Sequence, residues 1–353
     1  MSGKNTQLKF GKLPGTLLQN LISGLKTPNK DKRMIVGPGL GEDAAHILFG
    51  ENTLLAKTDP ITFATDRIGW YAVNVNANDI AVAGGTPKWF LATVMMPPGT
   101  SEDDVRRIFN QLGEAAAEID VRLAGGHTEI TPAVTQPVVC GFMLGEAPTS
   151  RTVSAAGAQP GDTIILTKGI AIEGTSILAN ECREALIKGG VAASDVDSAA
   201  TLLKDPGISV LRDAKIAVDS GGVTAMHDPT EGGLATALQE LAFASKAKIV
   251  IDEGAVNVLP LCGMVCEALD IDPWGLISSG ALLAAVNPDR ATGALAALNE
   301  AGIEATTIGN VESLLNDDQS PAVFVERGMG KPREPIKEFE RDELARYFEA
   351  LPN

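Results

Sequence analysis

The chain has 353 residues, 44% of them apolar, so wholesale disorder is excluded and there is length for two domains of ordinary size. A formal net charge of −16 repels phosphate backbones and anionic lipid headgroups, which excludes nucleic acid and membrane surfaces as partners. A nucleotide stays admissible only if a cation mediates the contact.

Four cysteines, Cys140, Cys182, Cys262 and Cys266, make no disulfide framework in a chain of this length. The opening MSGKNTQLKF lacks the apolar core of a secretory signal, and the apolar run LISSGALLAAV (276–286) is too short to span a bilayer. A cytoplasmic protein is expected.

In chain order, a short helical start leads into a polar connector, KTPNKDKR (26–33). TLLAKTD (53–59) reads as a buried strand. Residues 67–85 are small or apolar nearly all round, which suits a buried helix stopped by Gly84, Gly85 and then Pro87. KWFLATVMM (88–96) is strand-like. The next helix, 101–120, opens on a Ser101/Asp104 capping box and carries a stripe of Val105, Ile108, Phe109, Leu112, Ala116 and Ile119. VRLAGG (121–126) and PVVCGFMLG (137–145) read as strands.

The small, turn-rich stretch 146–162 places a domain boundary, giving an N-terminal domain over 1–148 and a C-terminal domain over 158–335. Beyond it, TIILTKG (163–169) reads as a strand and 175–188 as a helix closed by Gly189 and Gly190. The charged tail, 336–353, reads as a surface helix. Strands and helices interleave in both halves, so the class is α/β or α+β, with no short repeat.

Glycine beside acid or amide recurs along the chain. GPGLGEDAAH (37–46) sets Gly39 and Gly41 before Glu42 and Asp43. The helix over 67–85 carries Asn74, Asn78 and Asp79. AGGHTEITP (124–132) holds Gly125, Gly126, His127, Thr128 and Glu129. HDPTEGGLATALQELA (227–242) holds His227, Asp228, Glu231, Gly232 and Gly233. Asp59, after a strand, makes a fifth place. In the 227–242 stretch Asp228 stands where an N-cap belongs, with Pro229 at the first helical position. Two readings stay open. Asp228 and Glu231 form a capping box with the glycines giving close packing, or the bare helix N-terminus receives an anion.

Carboxylates dispersed beside glycines are what Mg²⁺ with a polyphosphate needs, because Mg²⁺ takes a few protein oxygens and lets phosphates complete its shell. Gly39 and Gly41 would admit the phosphates and Asp43 would hold the cation. No Walker sequence is present, and GPGLGE departs from G-x-G-x-x-G at Glu42. His46, His127 and His227 all lie in these clusters without zinc-type spacing; a metal hydrolase using them is a rival reading. Cys262 and Cys266 read as small buried side chains. Asn74 and Asn78 serve either the site or a neighbouring backbone. Lys57 and Lys168 are solvated strand-end lysines or phosphate contacts.

Taken in order, GKLPGTLLQNLI, VGPGLGEDAAHI, KTDPIT, NDIAVAGGTPKW, GGHTEITP, PGDTIILTKGIAIEGTSILA, HDPTEGGLATAL and ISSGALLAAV resemble the superfamily of aminoimidazole ribonucleotide (AIR) synthetase, over about residues 11–324. The match is nearest its HypE-like branch of hydrogenase maturation factors. The resemblance implies a two-domain PurM-like α/β fold, a β-barrel completed by a second subunit in a homodimer, and ATP with Mg²⁺ as cofactors. It implies Asp43, Asp59, Asp79 and Asp228 as metal or phosphate-site ligands, Asn78 as a contact near the nucleotide, and Gly125, Gly126 and Thr128 at the phosphates.

Two positions depart from the family pattern. His127 stands where an acid usually follows the glycine pair, so either His127 takes another role or Glu129 supplies the acid. No cysteine follows Cys266, where HypE ends in the cysteine that carries its reacting group, so that reaction on its own tail is not expected. The expected function is ATP-dependent phosphoryl transfer to, or activation of, a small-molecule or protein acceptor, with Asp228 or His127 as base. The rivals are a non-catalytic nucleotide-binding maturation accessory protein and a thiamine-monophosphate kinase-like enzyme.

Overall fold

The computed structural model describes residues 8, 11–25, 31–62, 66–315, 320–328 and 331–351. Part of the expected connector (26–30) and the last two residues of the tail lie outside them. After α1 (Gly15–Ser23), six strands form the first sheet: β1 (Met34–Val36), β2 (Ala45–Phe49), β3 (Asn52–Ile61), β4 (Thr86–Met96), β5 (Arg122–Ile130) and β6 (Val138–Pro148). Their spatial order is β1-β2-β3-β6-β4-β5, antiparallel except for the parallel β4–β5 pair at one edge. Between strands come α2 (Ile68–Val82) and α3 (Glu102–Glu118), and α2 packs against both β3 and β6.

The second half opens with β7 (Thr163–Thr167), α4 (Ile172–Glu181), α5 (Arg183–Lys188), α6 (Ala193–Ala200), α7 (Leu211–Ser220) and β8 (Val223–His227). It continues through α8 (Gly233–Ala244), β9 (Ala247–Asp252), α9 (Pro260–Ala268), β10 (Leu283–Val286), α10 (Pro288–Glu300), β11 (Ala305–Leu314), β12 (Ala322–Glu326), β13 (Glu334–Pro335) and α11 (Glu343–Ala350). Its sheet runs β13-β12-β9-β11-β7-β10-β8. The architecture is therefore α/β with two sheets in two halves. Among the described residues no helix is long and apolar enough to cross a membrane.

Helix α2 joins the halves. Every residue in it except Trp70 is buried, because Gly, Ala, Val and Asn let neighbours approach from all sides. Ile80 belongs to the core of the first sheet with Leu55, Phe90 and Met143, while Ala81 and Val82 pack with Ile165, Val210 and Ala214 of the second half. Asn78 ties the two together: its Nδ2 donates to the Ile208 carbonyl at 2.8 Å, and its Oδ1 accepts from the Val210 N–H at 2.9 Å. Asn74 turns back on its own helix, donating to the Trp70 carbonyl.

The Ser101/Asp104 capping box forms as expected, but Phe109 on that stripe is 47% exposed. The helix expected over 175–188 starts earlier, at Ile172, and breaks at Cys182 into α4 and α5. The tail is helical only over 343–350, and Asp342, Glu343, Leu344 and Ala345 are buried rather than on the surface.

Gly41 has a clear packing task. It sits at φ +83°, and a Cβ there would lie 2.6 Å from the Glu240 carbonyl oxygen. The loop before Asp43 is thereby pressed onto the backbone of α8. Gly41→Ala is expected to cost both strained backbone and that collision, about 2–4 kcal/mol. Gly50→Ala, at φ +68° in open space, is expected to cost only about 1 kcal/mol. Denaturant unfolding of the two variants measures the difference, and equal losses would remove the contact with α8 from the account.

Candidate functional site

Six segments deliver charged side chains to the seam between the halves. On β3, Lys57 and Asp59 are two residues apart and share one face of the strand. The Lys57 ammonium lies 3.2 Å from Asp79 Oδ1 on α2 and 3.7 Å from Asp59 Oδ2. Asn76, one turn from Ala72 on α2, locks this pairing in place. Its Oδ1 accepts from the Asp59 N–H at 2.9 Å, and its Nδ2 donates to the carbonyls of Asp59 and Ala72.

Asp43 arrives from the loop before β2, and His227 and Asp228 from the end of β8. His227 Nδ1 is 2.7 Å from Asp43 Oδ2, and its Nε2 is 2.9 Å from Glu240 Oε2 on α8. Lys12 reaches the same place, with its ammonium 3.6 Å from Glu240 and its backbone N–H donating to Glu231 at 2.8 Å. One donor atom each from Asp43, His227 and Asp228 lie within 4.8 Å of one another, the one such group of three potential ligands among the described residues.

The electrostatics are unbalanced. Both oxygens of Asp228 and Oδ2 of Asp79 are buried without a hydrogen-bond partner. Burial first, and then the Asp43 charge, push the Asp228 carboxyl up to about 7, against the pull of His227 and Lys57. Asp79 is raised well above the ordinary carboxylate range, by burial and by Asp228, against the pull of Lys57. Burial works against charge on His227 and Lys57, yet the carboxylates beside each hold both above their ordinary values. Glu240 resists its burial and is held down at about 2 by Lys12 and His227.

Such a site has unpartnered oxygens facing one another. Its vacant donors are hard carboxylate oxygens, the set that suits Mg²⁺. The His227 nitrogens are both engaged by carboxylates, so the histidine orients Asp43 rather than offering a free ligand. This arrangement does not favour the zinc hydrolase.

Of the residues expected from sequence, Asp43, Asp59, Asp79 and Asp228 come together. The 124–132 group does not join them. Gly125, Gly126, His127, Thr128 and Glu129 all lie on the exposed edge strand β5, where His127 and Glu129 face each other at 3.3 Å. Neither His127 as base nor Glu129 as metal ligand is therefore supported by position. Gly39 and Gly41 lie in the loop carrying Asp43, with Gly41 used against α8 as described. Asn78 is engaged by the backbone at 208 and 210 instead of reaching for a nucleotide.

Asp228 is not an N-cap either. Helix α8 begins at Gly233, after Gly232 turns left-handed at φ +87°, and a Cβ on Gly233 would lie 2.5 Å from the Trp274 carbonyl oxygen. The Gly232 N–H donates to Asp342 Oδ2 at 2.6 Å. A carboxylate of the protein, 110 residues further along the chain, thus occupies the helix N-terminus expected to receive an anion. The participation of Lys12 and Glu240 was not visible in sequence, whereas Lys57 was read as either a solvated strand-end lysine or a phosphate contact. For Lys57, its place two residues before Asp59 on a strand was the available signal.

Residues 41–147 match the family described as AIR synthase related protein, N-terminal domain, and residues 159–314 match its C-terminal domain. A carbamoyl dehydratase HypE from Cupriavidus necator is 33% identical, covering 71% of this chain and 70% of its own length. A hydrogenase expression/formation protein from Methanocaldococcus jannaschii is 28% identical, covering 81% of this chain and 84% of its own. The solved structure of a hydrogenase maturation protein HypE in complex with ATP superposes with a TM-score of 0.69 at 26% identity, covering 92% of this chain and 96% of that one. The chain belongs to the AIR synthase-related family, in its HypE-like branch.

Asp228→Asn is expected to stabilise the metal-free protein at pH 8 by about 1–3 kcal/mol, because it removes a buried charge that nothing pairs. The sign follows from linkage. The folded carboxyl holds its proton up to about 7, above its unfolded value near 4, so this group's contribution falls as pH rises through that window. Melting curves in EDTA from pH 5 to 8 are expected to show a shallower decline for the variant. A parallel decline would contradict the assignment.

Proposed function

We propose that this protein is an enzyme that uses ATP with Mg²⁺ to transfer a phosphoryl group to, or otherwise activate, an oxygen atom of an acceptor. The observation that carries the reading is the set of buried, unpartnered carboxylate oxygens on Asp79 and Asp228 beside Asp43, gathered from three separate segments. A protein of net charge −16 gains nothing by burying such a group unless a cation completes it. The HypE structure in complex with ATP, similar over nearly the whole chain, supports the choice of nucleotide.

When bound, Mg²⁺ supplies charge neutralisation and orientation of the transferring phosphate. The chain's own residues supply the rest. His227, held between Asp43 and Glu240, fixes the Asp43 carboxylate and keeps a positive charge behind it. Lys57 spans Asp59 and Asp79 and holds β3 and α2 at a set distance. Burial of Asp79 and Asp228 keeps bulk water from their oxygens, so each interaction acts in a low dielectric.

The acceptor on this reading is a hydroxyl or a carboxamide oxygen. The relative named carbamoyl dehydratase removes water from a carbamoyl group, a reaction that activation of the amide oxygen serves. The protein's buried thiols are poor acceptors: burial pushes Cys262 up to about 11 and Cys266 up to about 12. The protein works as a homodimer on this reading, and the edge strand β5, with Leu123 and Ile130 exposed, is the element we assign to the contact.

Titration with a non-hydrolysable ATP analogue, with and without Mg²⁺, tests the proposal. Binding is expected only with Mg²⁺, weakened at least about tenfold by Asp43→Asn and by Asp228→Asn. Unchanged affinity in both variants would sink it. ADP release from Mg–ATP separates an enzyme from a protein that only holds the nucleotide.

A further inference from the structure

One buried acid is not used by any step above. Glu173, in the first turn of α4, is only 4% exposed, and its Oε2 is buried without a hydrogen-bond partner. The chain enters α4 through two left-handed residues, Lys168 at φ +59° and Ala171 at φ +66°. It is then stitched to the loop before β10: the Ala171 N–H donates to Ser278 Oγ at 2.5 Å, and the Gly174 N–H donates to the Ile277 carbonyl at 3.0 Å. That stitching sets Glu173 against Ser279, whose hydroxyl and backbone N–H are the hydrogen-bonding groups turned toward its carboxyl.

Among the described residues, the charges that act most strongly on Glu173 are acidic. Asp342 from the C-terminal segment, Asp228 from the end of β8 and Tyr71 from α2 are the titratable neighbours whose charges it feels or influences. The nearest lysine in sequence, Lys168, is committed elsewhere: its ammonium lies 3.1 Å from Asp213 and donates to the carbonyls of Ser209 and Gly280. An acid kept only for structure is paired or bonded on both oxygens. Glu173 has one oxygen free, in reach of the charge on Asp228.

We propose that Glu173 is a catalytic residue of the same site, the group that receives the acceptor's proton. The inference rests on the phosphoryl-transfer reading. As the oxygen of a hydroxyl acceptor bonds to the γ-phosphorus, its O–H bond breaks and the proton passes to Glu173 Oε2; with a carboxamide acceptor the proton comes instead from the amide nitrogen, whose N–H bond breaks as the C=N bond forms. The bond from the γ-phosphorus to the bridging oxygen breaks, and its electron pair leaves with ADP. Burial, followed by the charges of Asp342 and Asp228, raises the Glu173 carboxyl to about 7 against the Ser279 hydrogen bonds, the range in which a carboxylate both accepts and releases a proton at neutral pH.

The test compares wild type with Glu173→Gln and Glu173→Asp, with Mg–ATP as substrate and water as acceptor. Glu173→Gln is expected to bind a non-hydrolysable Mg–ATP analogue within threefold of wild type. Its ADP release is expected to fall about 100-fold or more, with loss of the pH limb near 7. Glu173→Asp, which keeps the acid, is expected to be slowed at least about tenfold and to keep a limb; it carries the test if the amide variant does not fold. An independent readout is the infrared carboxyl band that disappears in Glu173→Gln, expected to shift when the Mg–analogue is added. If wild type releases ADP and both variants match it, or the band does not move, Glu173 has no such role. If wild type binds the nucleotide and releases no ADP, the phosphoryl-transfer reading itself falls, and this assignment with it.

Discussion

Carboxylates brought together out of water repel one another, and the seam between the two halves is built around that repulsion. Asp43, Asp59, Asp79, Asp228 and Glu240 meet there with Lys12, Lys57 and His227 as the basic groups among them. Where an acid has a basic partner the geometry is well formed, as in the Asp43–His227–Glu240 line. Where it has none, the acid takes a proton at unusually high pH, as Asp228 does. Desolvating a charge costs several kcal/mol that an ion pair does not always return. On the proposed reading a cation offsets that cost, which would couple ligand binding to folding stability at this point.

The same seam explains the composition of α2. A helix of large apolar residues would hold the sheets further apart and leave Asp79 exposed. With Ala72, Ala77 and Ala81 among its buried residues, the helix lets β3 and β6 approach on one side and the second half on the other. The asparagines then do what alanines cannot: Asn76 fixes the backbone of Asp59, and Asn78 fixes the backbone at 208 and 210. Both bonds are made inside the core, where a lost partner leaves an unsatisfied polar group. The position of Asp79 is thus set by two asparagines that precede it on the same helix.

What the sequence made legible was local. The capping box at Ser101 and Asp104, the all-round burial of α2 and the strand carrying Asp59, which runs two residues past it to Ile61, each depend on residues a few positions apart. The four aspartates named from the ordered motifs come together because strand ends and loops of this fold converge on one seam. The differences from the sequence reading share a cause. Asp228–Pro229 followed by two glycines mimics a helix start, but Gly232 turns left-handed first, and the cap comes from Asp342 across the fold. His127 sits among site-like residues, yet strand pairing beside β4 carries it to an exposed edge. Glu240 meets His227, and Lys12 meets Glu240, across separations that no local pattern encodes.

Asp342 also changes how the helix N-terminus should be understood. Bare N–H groups at the start of α8 attract negative charge, and the protein answers with a carboxylate from its own C-terminal segment. That carboxylate is itself buried and raised to about 7, by burial first and with Glu231 adding to the repulsion, while the Gly232 and Leu344 N–H groups hold it back. Its other oxygen accepts from the Leu344 N–H and starts α11, so one side chain caps two helices. The C-terminal segment is held by this double cap, by Phe339 pressed against Gly275, and by Lys337 paired with Asp272. A segment that closes the seam from this side also sets an acid beside Glu173. The tail is therefore part of the electrostatic environment of the site, and its docking and the protonation of the buried acids are linked.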